Sequence, residues 1–212
     1  MPTVVCVLRS GGGVYDPRWV KALYRGVREN LSSFEFVCLT DQTFHILGVE
    51  TIPLKYGWPG WWAKVHMFEP GLFAGPVVYL DLDTLPVGSL EDIAAYPGQL
   101  ATLSDFYQPA QMASGVLCFA PSAQTERIWD LFLKNPKEIM RQHTGRSDYW
   151  YRKVIGVHER LQGLYPKQIV SLKVHARHSA PKGSRLICGH ARPRLSDRAA
   201  GWANDLWVER SK

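Results

Sequence analysis

The sequence lacks the features that mark membrane-spanning, exported and repeat proteins. It has no uninterrupted stretch of about 18 apolar residues, no internal repeat, and no basic leader followed by an apolar run. Its cations are scattered instead of clustered, so we expect no nucleic-acid partner, although a nucleic-acid binder stays a minor alternative. These absences predict a cytoplasmic protein without a transmembrane segment.

Cysteine is also scarce, and its spacing forms no motif. No two cysteines make a CxxC pair, and each lies inside a short apolar run. This pattern predicts buried strand residues with free thiols. The four are Cys6, Cys38, Cys118 and Cys188.

What the sequence does have is enough apolar material for a large core. Its 212 residues are 46% hydrophobic and 12% aromatic, which excludes disorder and predicts a single domain over residues 1–212. The 25 Lys and Arg residues exceed the 19 Asp and Glu residues, giving a net charge of +6. That charge would steer an anionic ligand toward the protein.

Apolar runs alternate with helical patterns along the chain. One helical face follows Asp16 and Pro17, an N-cap and a first-turn proline, and a second helical pattern extends from Ser122 to Phe132. Strands that are apolar throughout and alternate with helices predict an α/β fold with a mostly parallel sheet covered on both faces. The predicted strands are Thr3–Leu8, Phe34–Leu39, Val77–Leu80, Gly115–Phe119 and Arg185–Cys188.

Two carboxylates follow the third of these strands directly. Asp81 and Asp83 stand at its carboxyl end, where open α/β sheets place their ligand crevice. If the strand stays extended through the motif, both side chains face the same way and reach one ion. Hard cations such as Mg²⁺ or Mn²⁺ take oxygen ligands, and Mn²⁺ also accepts an imidazole. The pair therefore indicates a divalent metal site that serves a nucleotide diphosphate.

Two other interpretations of the carboxylates stay open. Aspartates at a strand end commonly cap backbone N–H groups in a turn. A phosphatase-type DxDGT motif also follows an apolar strand, but here Thr84 follows Asp83 directly, and the motif lies far from the first strand.

Several segments together resemble the landmarks of a known family. In chain order they are WPGWWAKVHMF, VVYLDLDTLPVGSLEDI, ATLSDF, ASGVLCF and CGHARPR. They resemble small glycosyltransferases of family 8, the glycogenin and lipooligosaccharide galactosyltransferase type. The resemblance covers about residues 3–207 and implies a GT-A fold with a Rossmann-like, mostly parallel sheet flanked by helices. It also implies sugar transfer from a nucleotide donor, usually UDP-linked, with Mn²⁺ or Mg²⁺ at the diphosphate.

The resemblance assigns the metal and phosphate ligands by position. Asp81 and Asp83 match the DxD motif, the first reaching the ribose as well as the metal, and His190 matches the late histidine of the metal shell. Lys64 would face the diphosphate, although a solvated helix lysine is an alternative. Either Arg192 or Arg194 would clamp phosphate oxygens with its guanidinium fork.

The remaining matches concern the base, the sugar and the acceptor. Asp41 lies where a residue would recognise the base, or it simply caps a strand end. Asp105 matches an aspartate that contacts donor-sugar hydroxyls, or it is a turn residue. Asp148 lies near the acceptor in the family, and both Asp105 and Asp148 are candidate catalytic carboxylates. The segment Ser114–Gly115 matches the floor of the donor and acceptor pockets.

Two departures from the family pattern leave an alternative open. Ala113 replaces the usual asparagine and Tyr149 replaces the usual glutamine. The sequence therefore predicts a metal-dependent, hexosyltransferase-like enzyme acting on an unidentified acceptor, with the resemblance favouring retention of configuration. The alternative is a non-catalytic nucleotide or nucleotide-sugar binding protein of the same fold.

The tryptophans near Lys64 allow two roles, core packing or a platform for a sugar ring. Consecutive helical residues cannot share a face, so we expect one of Trp61 and Trp62 to pack and the other to be exposed.

Overall fold

The computed structural model describes residues 1–144 and 147–212. Its main sheet has seven strands in the order β3-β2-β1-β4-β7-β6-β8, and a second sheet has three strands in the order β5-β10-β9. The strands are β1 (Thr3–Leu8), β2 (Glu35–Thr40), β3 (Glu50–Pro53), β4 (Val77–Leu80), β5 (Thr84–Pro86), β6 (Leu100–Ser104), β7 (Met112–Phe119), β8 (Glu159–Arg160), β9 (Ile169–Ser171) and β10 (Leu186–Cys188).

Helices cover both faces of the main sheet. The α-helices are α1 (Pro17–Asn30), α2 (Glu91–Ala94), α3 (Ala123–Lys134), α4 (Pro136–Gln142), α5 (Asp148–Val154), α6 (Leu161–Leu164) and α7 (Trp202–Ser211). Two 3₁₀ helices complete the list, at Gly60–Phe68 and Arg198–Ala200. None of the helices in these described parts of the chain is long and apolar enough to cross a bilayer.

The sheet is mostly parallel, as the sequence predicts. Strands β1 and β2 run in parallel with Cys6 opposite Cys38, and β1 is also parallel to β4. Strand β7 is the exception, because it runs antiparallel to both β4 and β6. The predicted α/β fold class is confirmed, and all four cysteines are buried free thiols.

Each strand divides its side chains between two cores. On β1, Val4 and Cys6 pack into one apolar cluster with helices α1 and α7, while Val5 packs into the other. The second cluster is aromatic and includes Trp62 of the first 3₁₀ helix and Phe132 of α3. Helix α1 begins as predicted, with the Asp16 side chain accepting a hydrogen bond from the Arg18 N–H.

The structure corrects two expectations. The predicted strand Arg185–Cys188 begins at Leu186, and it lies in the small second sheet, antiparallel to β5 and parallel to β9. The chain also does not stay extended through the two aspartates, because β4 ends at Leu80. The chain instead turns at Asp81–Thr84, where the Thr84 N–H donates to the Asp81 carbonyl at 2.9 Å.

Candidate active site

The turn Asp81–Thr84 joins the two sheets and carries both carboxylates. Strand β4 brings it to the centre of the main sheet, and β5 leads from it into the small sheet. The Asp81 N–H donates to the Gly115 carbonyl at 2.9 Å, which ties the turn to β7. The Gly189 N–H donates to the Asp83 carbonyl at 2.8 Å, which ties it to the end of β10. Backbone hydrogen bonds to β7 and to the residue after β10 therefore hold the turn in place.

Asp81 is held by a lysine and a tyrosine. The Lys64 Nζ lies 2.6 Å from its Oδ1, and the Tyr79 hydroxyl donates to the same oxygen. Lys64 itself is buried and lies 5.3 Å from the centroid of the Tyr79 ring. Lys64 is therefore not a solvated helix lysine, and its predicted contact with the diphosphate stays a prediction.

Asp83 is more deeply buried, with 9% of its surface exposed. The Tyr15 hydroxyl donates to its Oδ2 at 3.1 Å. Burial and the nearby Asp81 charge raise the pKa of Asp83 to about 7, although Lys64 opposes the shift. Burial beside Asp83 also raises the pKa of Tyr15 far above its usual range, so its hydroxyl stays a proton donor. The two carboxylates thus repel one another in the protein alone.

Gly115 lies against this turn, and the predicted role of Ser114–Gly115 as the floor of the donor and acceptor pockets stays a prediction. A Cβ added to Gly115 would lie 3.4 Å from the Asp81 Oδ2, in van der Waals contact with the carboxylate. Ser114 is buried, and both its N–H, at 3.2 Å, and its hydroxyl donate to the Asp148 Oδ1. Asp148 therefore lies beside the crevice floor.

Asp105 serves its own loop. Its Oδ1 accepts hydrogen bonds from the N–H groups of Tyr107 at 2.8 Å and Gln108 at 3.1 Å, the pattern of a turn residue. Its Oδ2 lies 3.7 Å from the Arg152 guanidinium on α5. Arg152 also donates to the Met112 carbonyl at 3.1 Å, and so connects α5 to the β6–β7 hairpin.

His190 lies just beyond the end of β10 in the small sheet. It follows Gly189, whose N–H binds the turn. Its Nε2 forms a hydrogen bond of 2.7 Å with the Ser171 hydroxyl. The Phe106 ring stacks on the imidazole with centroids 5.8 Å apart, and the Tyr107 ring meets it edge-on at 5.5 Å. These contacts fix the orientation of the imidazole ring.

Asp41 lies at the end of β2 and contacts the loop that follows β1. Its carboxylate accepts from the Ser10 N–H at 2.8 Å, from the Ser10 hydroxyl and from the Arg9 guanidinium. These donors lower the pKa of Asp41, against an opposing effect of burial. The structure therefore gives Asp41 a capping role, and base recognition stays a prediction.

The two late arginines differ in their surroundings. Arg192 is exposed, and its guanidinium lies 3.2 Å from the Asp197 Oδ2. Arg194 is half-buried, and its charge slightly opposes the rise in the pKa of Tyr15. Of the two late arginines, Arg194 is thus the one whose charge acts on Tyr15.

The fit of a metal rests on the carboxylates. No group of three or more His, Cys, Asp or Glu side chains among residues 1–144 and 147–212 is arranged to hold an ion. The structure brings Asp81 and Asp83 together, and it places His190 one residue beyond a direct backbone contact of Asp83. Two repelling carboxylates, one of them buried, fit the oxygen ligands of a hard divalent cation.

Several residues at the site escaped the sequence analysis. Tyr15, Tyr79 and Ser171 each bind a predicted site residue through a hydroxyl. Arg152 and the Phe106 ring add contacts to Asp105 and His190. Tyr15 had a weak signal, since it ends the glycine-rich loop GGGVY after β1.

Similarity to known proteins is confined to structure. No protein-family model matches the sequence, and no curated protein matches it. Among solved structures, the chain is similar to the glycosyltransferase GlyE of Streptococcus pneumoniae TIGR4, with 14% identity and a TM-score of 0.72 over 99% of this chain. That match covers 59% of GlyE, so the chain spans well under two thirds of that protein.

A second similar fold matches over nearly its whole length. An active-site mutant of LgtC is 13% identical with a TM-score of 0.71, over 99% of this chain and 95% of that one. The galactosyltransferase LgtC in complex with donor and acceptor sugar analogues is 12% identical with a TM-score of 0.59. These similarities confirm the predicted GT-A fold, which the chain shares with solved glycosyltransferases.

Proposed function

We propose that this protein is a metal-dependent glycosyltransferase that moves a sugar from a nucleoside-diphosphate donor, UDP-linked, to an acceptor. The observation that carries the proposal is the turn Asp81–Thr84, which holds two repelling carboxylates between the two sheets of a GT-A fold. Such a pair is unfavourable until a cation neutralises it. The LgtC fold bound to donor and acceptor analogues supports the same function for this arrangement.

Asp81 and Asp83 would hold the ion, and His190 is the proposed third ligand, although its side chain and the two carboxylates do not form one cluster arranged for an ion in the structure. A divalent cation bound there would neutralise the diphosphate and assist its departure as a leaving group. The protein's own contribution is to keep the ligands in place through the Tyr15 hydroxyl on Asp83 and the Ser171 hydroxyl on His190. Mn²⁺ suits a mixed set of carboxylate and imidazole ligands, and Mg²⁺ is the second choice.

Cationic side chains would stabilise the negative charge of the donor. Lys64 already lies at the carboxylates. Because its ammonium is buried, its attraction to phosphate oxygens would be stronger than that of a lysine in water. Arg194 lies toward Tyr15 and is better placed to clamp phosphate than the exposed Arg192, which is paired with Asp197. Asp41, close to the first loop, would contact the base.

The outer carboxylates, Asp105 and Asp148, are candidates for the sugar and acceptor side. Asp148 lies over Ser114 and Gly115, next to the floor that leads to Asp81. Asp105 is turned to its own loop and to Arg152. Both carboxylates already accept hydrogen bonds from the protein, and because the family resemblance favours retention, we propose retention of configuration.

The test has two stages. Calorimetry of UDP with Mn²⁺, and again with excess chelator, should show binding only with the metal, since Asp81 and Asp83 otherwise repel phosphate. Equal affinity in both conditions would contradict the metal site. Release of UDP from UDP-sugars in the presence of Mn²⁺ then separates an enzyme from a protein that only binds nucleotide sugars, because a pure binder releases none.

A further inference from the structure

One buried hydroxyl group close to the site has no part in the proposed function. Tyr151 on α5 is fully buried in the aromatic cluster, where its ring packs against the rings of Phe68 and Trp150. Its hydroxyl has no hydrogen-bond partner among residues 1–144 and 147–212. Nearly all buried polar atoms in folded proteins have a partner, because an unpaired one bears the full cost of leaving water. A partner for the Tyr151 hydroxyl is therefore expected.

Helix α5 brings this side chain close to β7 and to the inner turn. Tyr151 follows Asp148 by three residues, so the two side chains lie on the same side of the helix. Asp148 accepts the Ser114 N–H at 3.2 Å, which joins α5 to β7. The next residue of β7, Gly115, accepts the Asp81 N–H at 2.9 Å through its carbonyl. Asp148 and β7 therefore connect α5 to Asp81.

A second tyrosine, Tyr79 of β4, reaches the same region from the main sheet. It belongs to the same buried cluster as Tyr151, and its hydroxyl donates to the Asp81 Oδ1. Burial raises the pKa of Tyr151 far above its usual range, and the charges of Asp148 and Asp81 add to the rise. Burial and Asp81 likewise raise the pKa of Tyr79, and Tyr151 contributes to that shift. Tyr151 thus lies within electrostatic reach of Asp148, Asp81 and Tyr79, and both phenols stay protonated.

The hydrogen-bonding capacity of these groups fits one water molecule. A tyrosine hydroxyl donates one hydrogen bond and also accepts, and a carboxylate accepts on two oxygens. Tyr79 uses its proton on Asp81, and Asp148 uses its Oδ1 on Ser114. An internal water typically makes about three hydrogen bonds to buried polar groups. A water among these groups would accept from the Tyr151 hydroxyl and donate to the Tyr79 oxygen and to the second oxygen of Asp148.

We propose that Tyr151 is a positioning residue of the site, whose hydroxyl donates to an internal water that in turn donates to the Tyr79 oxygen and to Asp148. This link couples helix α5, which carries Asp148, to Asp81 in the inner turn. The inference rests on the proposed function only for its effect on ligand affinity, since the hydrogen bonds themselves need no ligand.

The test begins with Tyr151→Phe, which keeps the ring and removes only the hydroxyl. In the metal-free protein the Tm should fall by about 3 °C, the effect of one lost buried hydrogen bond in a domain of this size. The affinity for UDP in the presence of Mn²⁺ should fall about threefold. That loss is smaller than the loss of about tenfold or more for a direct partner of a metal ligand, because the hydroxyl acts through Tyr79.

Two results of these measurements would overturn the proposal. The first is an unchanged or higher Tm, because removing a hydroxyl that has no partner relieves its desolvation cost. The second is a lower Tm with the parent's affinity for UDP, since the hydroxyl would then serve stability alone.

Tyr96→Phe is the matched control. Tyr96 is also buried, and its hydroxyl donates to the Glu159 Oε2 at 2.5 Å. It lies just before β6 begins, whereas Asp105 follows the end of that strand. Tyr96→Phe should lower the Tm by a similar amount and leave the affinity for UDP unchanged. An equal loss of affinity in both variants would deny Tyr151 a special role and overturn the proposal.

A double-mutant cycle and a crystal structure test the link itself. In an Asp148→Asn background, Tyr151→Phe should shift the Tm by less than half as much as in the parent, because members of one network are not additive. Fully additive shifts would overturn the proposal. A high-resolution crystal structure should show an ordered water within about 3.2 Å of the Tyr151 Oη, and a direct bond to another residue in its place would contradict the link. A parent that fails to bind UDP with Mn²⁺ would overturn the proposed function, and the melts, the cycle and the crystal structure would still decide the link.

Discussion

The two carboxylate pairs of the crevice differ in how their charge is satisfied. Asp105 accepts two backbone N–H groups of its own loop, and Asp148 accepts the N–H and hydroxyl of Ser114. Asp83 accepts the Tyr15 hydroxyl and lies buried beside the charge of Asp81. The outer pair is stabilised by hydrogen bonds from its own surroundings, while the inner pair shares one close cation, Lys64, which lies against Asp81 and leaves Asp83 buried beside a like charge.

This difference separates structural carboxylates from ligand-binding ones. Hydrogen bonds from N–H groups favour the charged form of a carboxylate, whereas burial and a like charge oppose it. A site that keeps two repelling carboxylates side by side lowers the stability of the folded protein, and such losses are typical of functional sites. We therefore expect substitutions in the inner pair to change ligand binding and substitutions in the outer pair to change local structure.

The largest difference is expected between Asp83→Ala in the inner pair and Asp105→Ala in the outer pair. Asp83→Ala should weaken Mn²⁺-dependent UDP binding more than about 100-fold, since it would remove a proposed metal ligand and not just an outer contact. Asp105→Ala should leave that affinity within about threefold and instead lower the free energy of unfolding by about 1 kcal/mol, the value of a lost turn cap. Calorimetry and thermal melts measure the two effects. The reverse pattern would show that the outer pair holds the metal.

The second prediction concerns stability without metal. Burial raises the pKa of Asp83 from 3.8 to about 7, so the folded state holds the proton more tightly than the unfolded state. Stability therefore falls as pH rises from about 4 to about 7, and the full loss persists above that range. Asp83→Asn removes this charge and keeps an oxygen for the Tyr15 hydroxyl. In the metal-free protein it should raise the free energy of unfolding at pH 8 by on the order of 2 kcal/mol.

The pH series supplies the control for that prediction. Near pH 4, where Asp83 is largely protonated in the folded state, the parent and Asp83→Asn should unfold with nearly the same free energy. Denaturant melts at several pH values, with chelator present, measure the difference. A gap that stays constant from pH 4 to pH 8 would show that packing, and not charge, separates the two proteins.

The sequence predicted the inner part of this site better than its surroundings. Strand β4 could be predicted because four buried apolar residues lead to the carboxylates, and Lys64 because its helix follows paired tryptophans. The expectation that one of Trp61 and Trp62 is exposed is confirmed for Trp61. Apolar runs and motif spacing are local sequence patterns, so they can predict these features.

What the sequence missed depends on contacts between distant residues or on very short elements. Tyr15 reaches Asp83 across 68 positions, which no periodicity reveals. Strands β5 and β9 have three residues each, too few for a pattern of alternation. The sequence analysis left open whether the chain stays extended or turns at the two aspartates. The structure shows the turn Asp81–Thr84, because β5 pairs with β10 and the chain leaves the main sheet directly after β4.

The smallest effect is expected for His190→Ala, which is compared with the same substitution at the neighbouring His175. His190 and His175 share the same neighbours: the His190 Nε2 bonds to the Ser171 hydroxyl, the His175 Nδ1 accepts the Ser171 N–H at 3.1 Å, and both rings contact Phe106. If His190 completes the metal shell, His190→Ala should weaken Mn²⁺-dependent UDP binding about tenfold. His175→Ala, which removes a similar set of packing contacts, should leave the affinity unchanged. Binding to the parent should also weaken as pH falls below about 7, because protons compete with the metal for its ligands. Calorimetry of both variants at pH 6 and pH 8 decides the matter, and equal losses in the two would assign His190 to packing alone.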